Sequence, residues 1–325
     1  MEIIKSPITP DPGMFGGIDL NNLLLIDIET TGLSSKYNWI YIIGITYYDR
    51  SINKWFIEQL FAENASQEKS ILQAFLSYLN EKSVITTYNG DTFDIPFIKT
   101  RMDKYGLKMP SAVSYDLLKL LRANSLFMHF PNYKLKTVEQ TLGIFREDIY
   151  SGKECIEFYK EYSRNGSDIM KQRVLKHNYD DLHSMPRLLR LIEIIENKRT
   201  IHIPNSKYPT KMHIESLNIV GEMLTIKGIY SSSYKVPVRS YMHSWSLELK
   251  EDNTFTINYE LIHAKSKDDL NVDLIYMKSL GIQQDSYMYM GMEIPENYSL
   301  VRAGNELIIE NVKTIIGKHL ESMLI

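Results

Sequence analysis

The run LLLIDIET (Leu23–Thr30) constrains this chain more than any other stretch. Its leading apolar residues and its length predict a buried strand. Two carboxylates interrupt it, at Asp27 and Glu29. Strand side chains alternate between faces, so both acids fall on one face. A buried carboxylate without a partner is costly, and two neighbours repel unless a cation lies between them. The run reads either as a solvated strand face or as a pair of acids gathered around a divalent metal. The apolar residues before the pair predict burial and favour the metal.

Two further stretches carry acids in informative places. In YNGDTFDIPFI (Tyr88–Ile98) a strand ends at Asn89-Gly90 and a helix begins near Asp94. Asp94 then lies in the first helical turn, pointing back toward the strand ends; helix capping is the plain alternative. Asp91, in the loop, is the competing carboxylate. In HNYDD (His177–Asp181), inside a helix predicted over Asp168–Glu196, His177 and Asp181 are four residues apart and share a face. An imidazole beside a carboxylate suits a base next to a metal ligand, and an exposed helical ion pair is the alternative.

The rest of the chain sets the frame. Residues 1–19, rich in Pro and Gly, predict an extended lead-in. Trp39–Asp49 and Lys54–Ala62 predict strands, Ser66–Asn80 a helix, Ser83–Gly90 a strand and Asp94–Tyr105 a helix. Ser114–Asn124 reads as strand or helix, and Leu135–Ile144 as a short helix with Thr137 as a possible cap. Ser151–Tyr162 predicts one more helix before the long one. The non-periodic, Pro-containing stretch Asn197–Ser206 predicts a linker. Beyond it MLTIKGIYS, SWSLELK, TFTINYELIHA and NELIIEN read as strands, KEDNT (Lys250–Thr254) as a hairpin turn, and VKTIIGKHLESMLI as a closing helix. Two domains are expected, 20–198 and 199–325, in keeping with 325 residues.

Composition removes some functions. The net charge of −3, from 37 basic and 40 acidic residues, excludes a protein that grips nucleic acid by a basic surface alone. The single cysteine, Cys155, excludes an internal disulfide framework and predicts a small apolar packing residue. No apolar run reaches the ~18 residues that span a bilayer, and the N-terminus lacks a signal-like apolar core. A cytoplasmic protein is expected, with no membrane contact.

The order and context of DIETTGL, YNGDTFDIPFI and HNYDDL resemble the three motifs of the DEDD 3′–5′ exonuclease superfamily of ribonuclease H-like proteins. Leu135–Asp148 (LKTVEQTLGIFRED) and Ser151–Glu154 (SGKE) add a likeness to its YprB-type branch. The likeness covers residues 20–196. One departure is the spacing H-x-x-x-D, where the superfamily has H-x-x-x-x-D or Y-x-x-x-D, so His177 stands where the tyrosine would, and Asp180 competes with Asp181. The resemblance implies an α/β fold, a ribonuclease H-like mixed sheet flanked by helices. A smaller β-rich (α+β) C-terminal domain, outside the likeness, is expected after it. The resemblance further implies a 3′–5′ exonuclease that hydrolyses phosphodiester bonds of DNA or RNA with two divalent cations, Mg²⁺ or Mn²⁺. Asp27, Glu29, Asp94 and Asp181 would hold the metal, and His177 would serve the attacking water.

Oxygen ligands and the lack of a cysteine pair favour those hard ions over zinc. The expected partner is nucleic acid, a single-stranded 3′ end. Thr31 and Gly32 could admit the terminal sugar, Asn89 could bond the backbone, and Lys136, with Lys134 and Arg146, could meet phosphates or sit as solvated surface cations. Asp116 reads as a supporting group or a helix cap; Tyr88, Phe93 and Tyr179 as base-stacking or packing residues. An endonuclease on the same fold, or a ribonuclease H-like scaffold that only binds nucleic acid or protein, remain the other readings. The C-terminal domain could recruit a protein partner.

Overall fold

The computed structural model describes residues 1–9, 20–80, 83–146, 150–204, 207–233 and 237–324. Residues 10–19 of the expected lead-in, Asp148, residues 205–206 of the expected linker and residues 234–236 lie outside the described residues. The chain divides into two units, residues 1–124 with 130–193, and residues 125–129 with 194–325.

The first unit holds β1 (Glu2–Ile8), β2 (Leu23–Thr30), β3 (Ile40–Asp49), β4 (Lys54–Phe61), α1 (Glu68–Leu76), β5 (Val84–Thr87), α2 (Asp94–Lys104), β6 (Val113–Asp116), α3 (Leu117–Ala123), α4 (Leu135–Thr141), α5 (Gly152–Asn165) and α6 (Asp168–Leu188). The strands form one mixed sheet in the order β1-β4-β3-β2-β5-β6. β2 pairs parallel with β5, and β5 with β6; the other pairs are antiparallel. Alternation along β2 divides its side chains. Leu24, Ile26 and Ile28 join a core with Ile71, Phe75, Ile95 and Ile98 of α1 and α2. The opposite sheet face carries Tyr41, Ile42 and Phe61, packed with Cys155, Tyr159, Val174 and Leu175 of α5 and α6. Helices thus cover both faces, and the buried sheet explains why β2 and β3 read as nearly continuous apolar runs.

Four expectations change in this unit. Residues 2–8 of the lead-in form β1, paired along its length with β4 from Glu2↔Phe61 to Ile8↔Trp55. It is an edge strand, where Pro7 can sit without breaking a ladder. The segment 114–124 is both strand and helix, divided at Asp116, whose side chain accepts Leu118 N–H and caps α3. The cap of α4 is Lys134 rather than Thr137. The long helix ends at Leu188, and α7 (Arg190–Arg199) follows. Pro186 lies inside α6 and cannot donate to Leu182. The Thr46 hydroxyl of β3 bonds that carbonyl instead, at 3.3 Å.

The second unit is β-rich: β7 (Thr200–Ile203), β8 (Thr210–Val220), β9 (Met223–Ser232), β10 (Val238–Tyr241), β11 (Trp245–Leu249), β12 (Thr254–Glu260), β13 (Ile262–Lys265), β14 (Asn271–Tyr276), β15 (Tyr287–Tyr289), β16 (Met292–Ile294), β17 (Tyr298–Ala303), β18 (Glu306–Leu307) and α8 (Ile309–Leu324). One sheet runs β10-β11-β12-β9-β8-β7 and another β13-β14-β17-β18. Trp245, Leu247, Leu249, Phe255, Ile257 and Tyr259 alternate into a core shared with Val312, Ile316 and Leu320 of α8. The expected linker is mostly structured, since α7 reaches Arg199 and β7 pairs with β8. NELIIEN is strand only at Glu306–Leu307 before α8 begins. The KEDNT hairpin forms as expected, with Asn253 in the left-handed region at φ 62° and β11 paired antiparallel to β12. Among the described residues no helix is long and apolar enough to cross a membrane. The expected α/β fold, a helix-flanked mixed sheet followed by a β-rich region, is the one observed.

Candidate active site

Asp27 and Glu29 lie on the face of β2 that meets α6. The Asn178 side-chain amide donates to Asp27 Oδ2 at 2.7 Å. His177 Nε2 stands 3.6 Å from Glu29 Oε1 and 4.0 Å from Asp181 Oδ2. One turn of helix therefore presents His177, Asn178 and Asp181 to the two strand acids. The approach is close because β3 carries Gly44 opposite Asp27. A Cβ there would meet Leu182 Cδ1 at 2.3 Å and Asn178 Oδ1 at 2.4 Å.

Asp94 arrives from the other side. β5 pairs with β2 only over Leu23–Leu25, leaving the later N–H groups of β2 open on that edge. Asp94 Oδ1 accepts Ile28 N–H at 3.1 Å. The loop before it is tied down by Asp116, which accepts Asn89 N–H at 2.9 Å and Asp91 N–H at 3.1 Å. Asp116 is thus both a cap and a support. Asp91 itself is taken by the Ser114 hydroxyl and Lys119. Asp180 pairs with Lys176 at 3.5 Å, whereas Asp181 stands with the other acids.

Burial and mutual repulsion dominate the electrostatics. Burial pushes Asp27 well above the ordinary carboxylate range, Asp181, Asp94 and Glu29 push the same way, and the Asn178 amide pulls back. Burial raises Glu29 to about 8, although His177 and the Tyr41 hydroxyl favour its charge. Burial raises Asp94 to about 7 against the Ile28 N–H bond. A desolvated group of acids that resists ionisation is the environment a multivalent cation relieves.

The donor set fits hard divalent cations. Each acid has one oxygen held by a protein donor: Asn178 on Asp27, Tyr41 at 3.3 Å on Glu29, Ile28 on Asp94, and Arg146 on Asp181. On Glu29 and Asp181 the second oxygen faces His177, at 3.6 Å and 4.0 Å from its Nε2. As the side chains stand, no three His, Cys, Asp or Glu residues among those described are arranged to hold one ion. Ligation would need carboxylate rotations that draw the second oxygens together.

The residues expected at the substrate are engaged in local structure. Thr31 Oγ1 accepts Trp39 N–H at 3.1 Å, and a Cβ at Gly32 would stand 2.6 Å from Asn38 Oδ1, so both shape the β2–β3 turn. Asn89 is left-handed at φ 69° and accepts the Thr92 hydroxyl at 2.8 Å. Lys136 Nζ donates to the Tyr150 carbonyl at 2.7 Å. Arg146 is no surface cation; its side chain is 6% exposed and pairs with Asp181 and Glu139. Tyr88 donates to the Tyr133 carbonyl, Phe93 packs on Phe97, and Tyr179 stacks on His183.

Four contributors are not singled out by the sequence. Asn178 holds Asp27; its signal was the asparagine inside HNYDD. Gln59 holds Asn178 at 2.9 Å, Tyr41 holds Glu29 while stacked 3.8 Å from Tyr159, and Gly44 makes room. The last three lie in ordinary-looking strands and carry no local signal.

The profile of the RNase_H superfamily matches residues 24–193. The uncharacterised protein YprB of Bacillus subtilis is 31% identical over 175 residues, 52% of this chain and 41% of that protein. A DNA polymerase of Pyrococcus glycovorans is 29% identical over 189 residues, 49% of this chain and 23% of the polymerase. The chain thus spans less than half the length of these curated relatives. Among solved structures, the family B DNA polymerase of Pyrobaculum calidifontis aligns with a TM-score of 0.41 and 15% identity, over 53% of this chain and 24% of that one. The likeness to YprB read from the motifs is borne out. With its helix-flanked mixed sheet and a family profile matched over more than half its length, the chain belongs to the RNase_H superfamily.

Proposed function

We propose that this chain is a metal-dependent 3′–5′ exonuclease acting on a single-stranded 3′ end of DNA or RNA. The observation that carries the reading is the gathering of Asp27, Glu29, Asp94 and Asp181 into one mutually repelling, largely desolvated cluster, with His177 beside Glu29 and Asp181. Membership of the RNase_H superfamily and the likeness to archaeal DNA polymerases support a protein that works on nucleic acid.

Asp27, Glu29, Asp94 and Asp181 would hold Mg²⁺ or Mn²⁺, which when bound lowers the pKa of a water and offsets charge on the phosphoryl and leaving oxygens. The chain's own residues do the rest. His177 Nε2, between Glu29 and Asp181, accepts a proton from the attacking water. Asn178 and Tyr41 fix the carboxylates of Asp27 and Glu29, so the acids need little reorganisation during the reaction. Water adds to phosphorus, the bond to the 3′ oxygen breaks, that oxygen takes a proton from solvent to become the new 3′ hydroxyl, and a mononucleotide leaves. Thr31, Gly32, Asn89 and Lys136 are the residues proposed to receive the terminal nucleotide.

Full-length protein with Mn²⁺ and a labelled single strand tests the reading. Wild type should release mononucleotides, and Asp27→Ala and Asp181→Ala should each lose several powers of ten in rate. Activity surviving either change refutes the assignment, and longer fragments point to an endonuclease.

A further inference from the structure

Arg146 occupies an unusual place. The helix α4 ends in a left-handed Gly143 at φ 74°, and Ile144 N–H bonds back to the Glu139 carbonyl at 2.8 Å. This closure is a Schellman-type turn, which reverses the chain and brings Arg146 back over Glu139. Glu139 is 1% exposed. Arg146 Nη2 donates to Glu139 Oε1 at 2.5 Å, and Nε lies 2.5 Å from Oε2 in an ion pair without hydrogen-bond alignment. The remaining arm, Nη1, donates to Asp181 Oδ1. Ser184, one turn beyond Asp181 on α6, donates to Glu139 Oε1 and also to the Asp181 carbonyl at 3.0 Å.

We infer that Arg146, braced by Glu139 and Ser184, is a positioning residue that aims Asp181 into the metal-binding cluster. The inference rests on the nuclease reading above. Its physical content is a division of labour between the two oxygens of Asp181. Oδ1 is fixed by the guanidinium, and Oδ2 is left toward His177. Carboxylates that bind metal are commonly held this way by a second hydrogen-bonding partner.

A rival account makes Arg146 a stand-in cation that a metal must displace. The charges oppose it. Glu139 already compensates the guanidinium across two contacts, so the Arg146–Glu139 pair is neutral and Asp181 keeps its charge for a cation. A displaceable latch would also need a free path, whereas Arg146 is anchored on α4 and, through Ser184, on α6. A buried ion pair is in itself weak evidence for stability, and apolar residues could join these two helices as well. What apolar residues could not do is fix a carboxylate.

The test is Mn²⁺ affinity of the full chain, read by electron paramagnetic resonance of the free ion, with metal-free thermal unfolding alongside. Arg146→Gln should weaken Mn²⁺ binding by about 10–100-fold, the range for such supporting partners. Arg146→Lys keeps the charge but lacks the fork that serves Glu139 and Asp181 together, so it should recover part of the loss. If Arg146→Gln fails to fold, Arg146→Lys alone decides, through affinity below that of wild type. Affinity equal to or tighter than wild type in the folded variant overturns the inference and supports the stand-in cation. A wild-type chain that takes up no Mn²⁺ overturns the metal reading and this inference together.

Discussion

Gly44→Ala is the sharpest test of how the site is assembled, because it adds one methyl group at the seam between β3 and α6. The new Cβ would stand 2.3 Å from Leu182 Cδ1 and 2.4 Å from Asn178 Oδ1, against 3.4 Å for ordinary contact. Neither side chain can yield. Both are fully buried, and Asn178 is pinned between Gln59 and Asp27. They lie one turn apart on the same helix, so relief requires α6 to retreat by about 1 Å, close to the shortfall in contact distance. Overpacking of this kind costs ~1–3 kcal/mol. A loss of about 2 kcal/mol lowers the Tm by roughly 4–8 °C for a unit of this size. The retreat also carries His177 and Asp181 away from Asp27 and Glu29, and a ~1 Å misplacement can cost ~10²-fold in rate. The matched control is Gly152→Ala in the first turn of α5, where a Cβ meets nothing within 4 Å. It should leave the rate unchanged and raise stability by up to ~1 kcal/mol. Thermal unfolding and hydrolysis of a labelled single strand in saturating Mn²⁺ read both effects. A Gly44→Ala protein with the Tm and rate of wild type would refute the packing argument.

Other tests address the electrostatics and the supports. Asp27, Glu29 and Asp94 hold protons in the metal-free fold that the unfolded chain releases near ordinary carboxylate pH. The folded state therefore binds more protons than the unfolded one, and the cluster's contribution to stability falls as pH rises from the ordinary range toward about 8. Mn²⁺ should accordingly raise the Tm more at the alkaline end than in mild acid, and the reverse order would contradict the buried cluster. Asn178→Ala leaves Asp27 without its amide donor; a loss of ~10–100-fold in Mn²⁺ affinity or rate is expected, with unchanged Mn²⁺ titration as the disproof. Asp116→Ala removes the α3 cap and the two bonds to Asn89 and Asp91. It should cost ~1–2 kcal/mol and speed hydrogen exchange at those two amides; unaltered exchange would show that the loop is held by something else.

Much of the first unit was legible because its signals are local. The alternation in LLLIDIET put Asp27 and Glu29 on one face, and that depends only on strand geometry. The placement of Asp94 in a first helical turn and the shared face of His177 and Asp181 depend only on helical period. Where tertiary partners decide, the local sequence carries no signal. Nothing in EIIKSPI marks a strand until β4 offers it an edge. The continuous pattern across Asp168–Glu196 does not reveal that the helix ends at Leu188. From sequence Arg146 reads as a phosphate contact or a solvated cation, because a lone basic residue after a short helix usually faces out. Only the turn at Gly143 and the buried Glu139 turn it inward.

The sequence by itself therefore determined which residues could share a face, since one backbone period suffices for that. It determined the identity of the acids and of the histidine. The tertiary structure decided which faces meet. Asp94 reaches β2 because β5 pairs with only its first three residues, and α6 reaches Asp27 because β3 has a glycine there. It also decided what braces the acids, through Gln59, Tyr41 and Arg146, each far from its partner along the chain. Such bonds follow from sheet order and helix packing, and no short stretch of sequence carries that information.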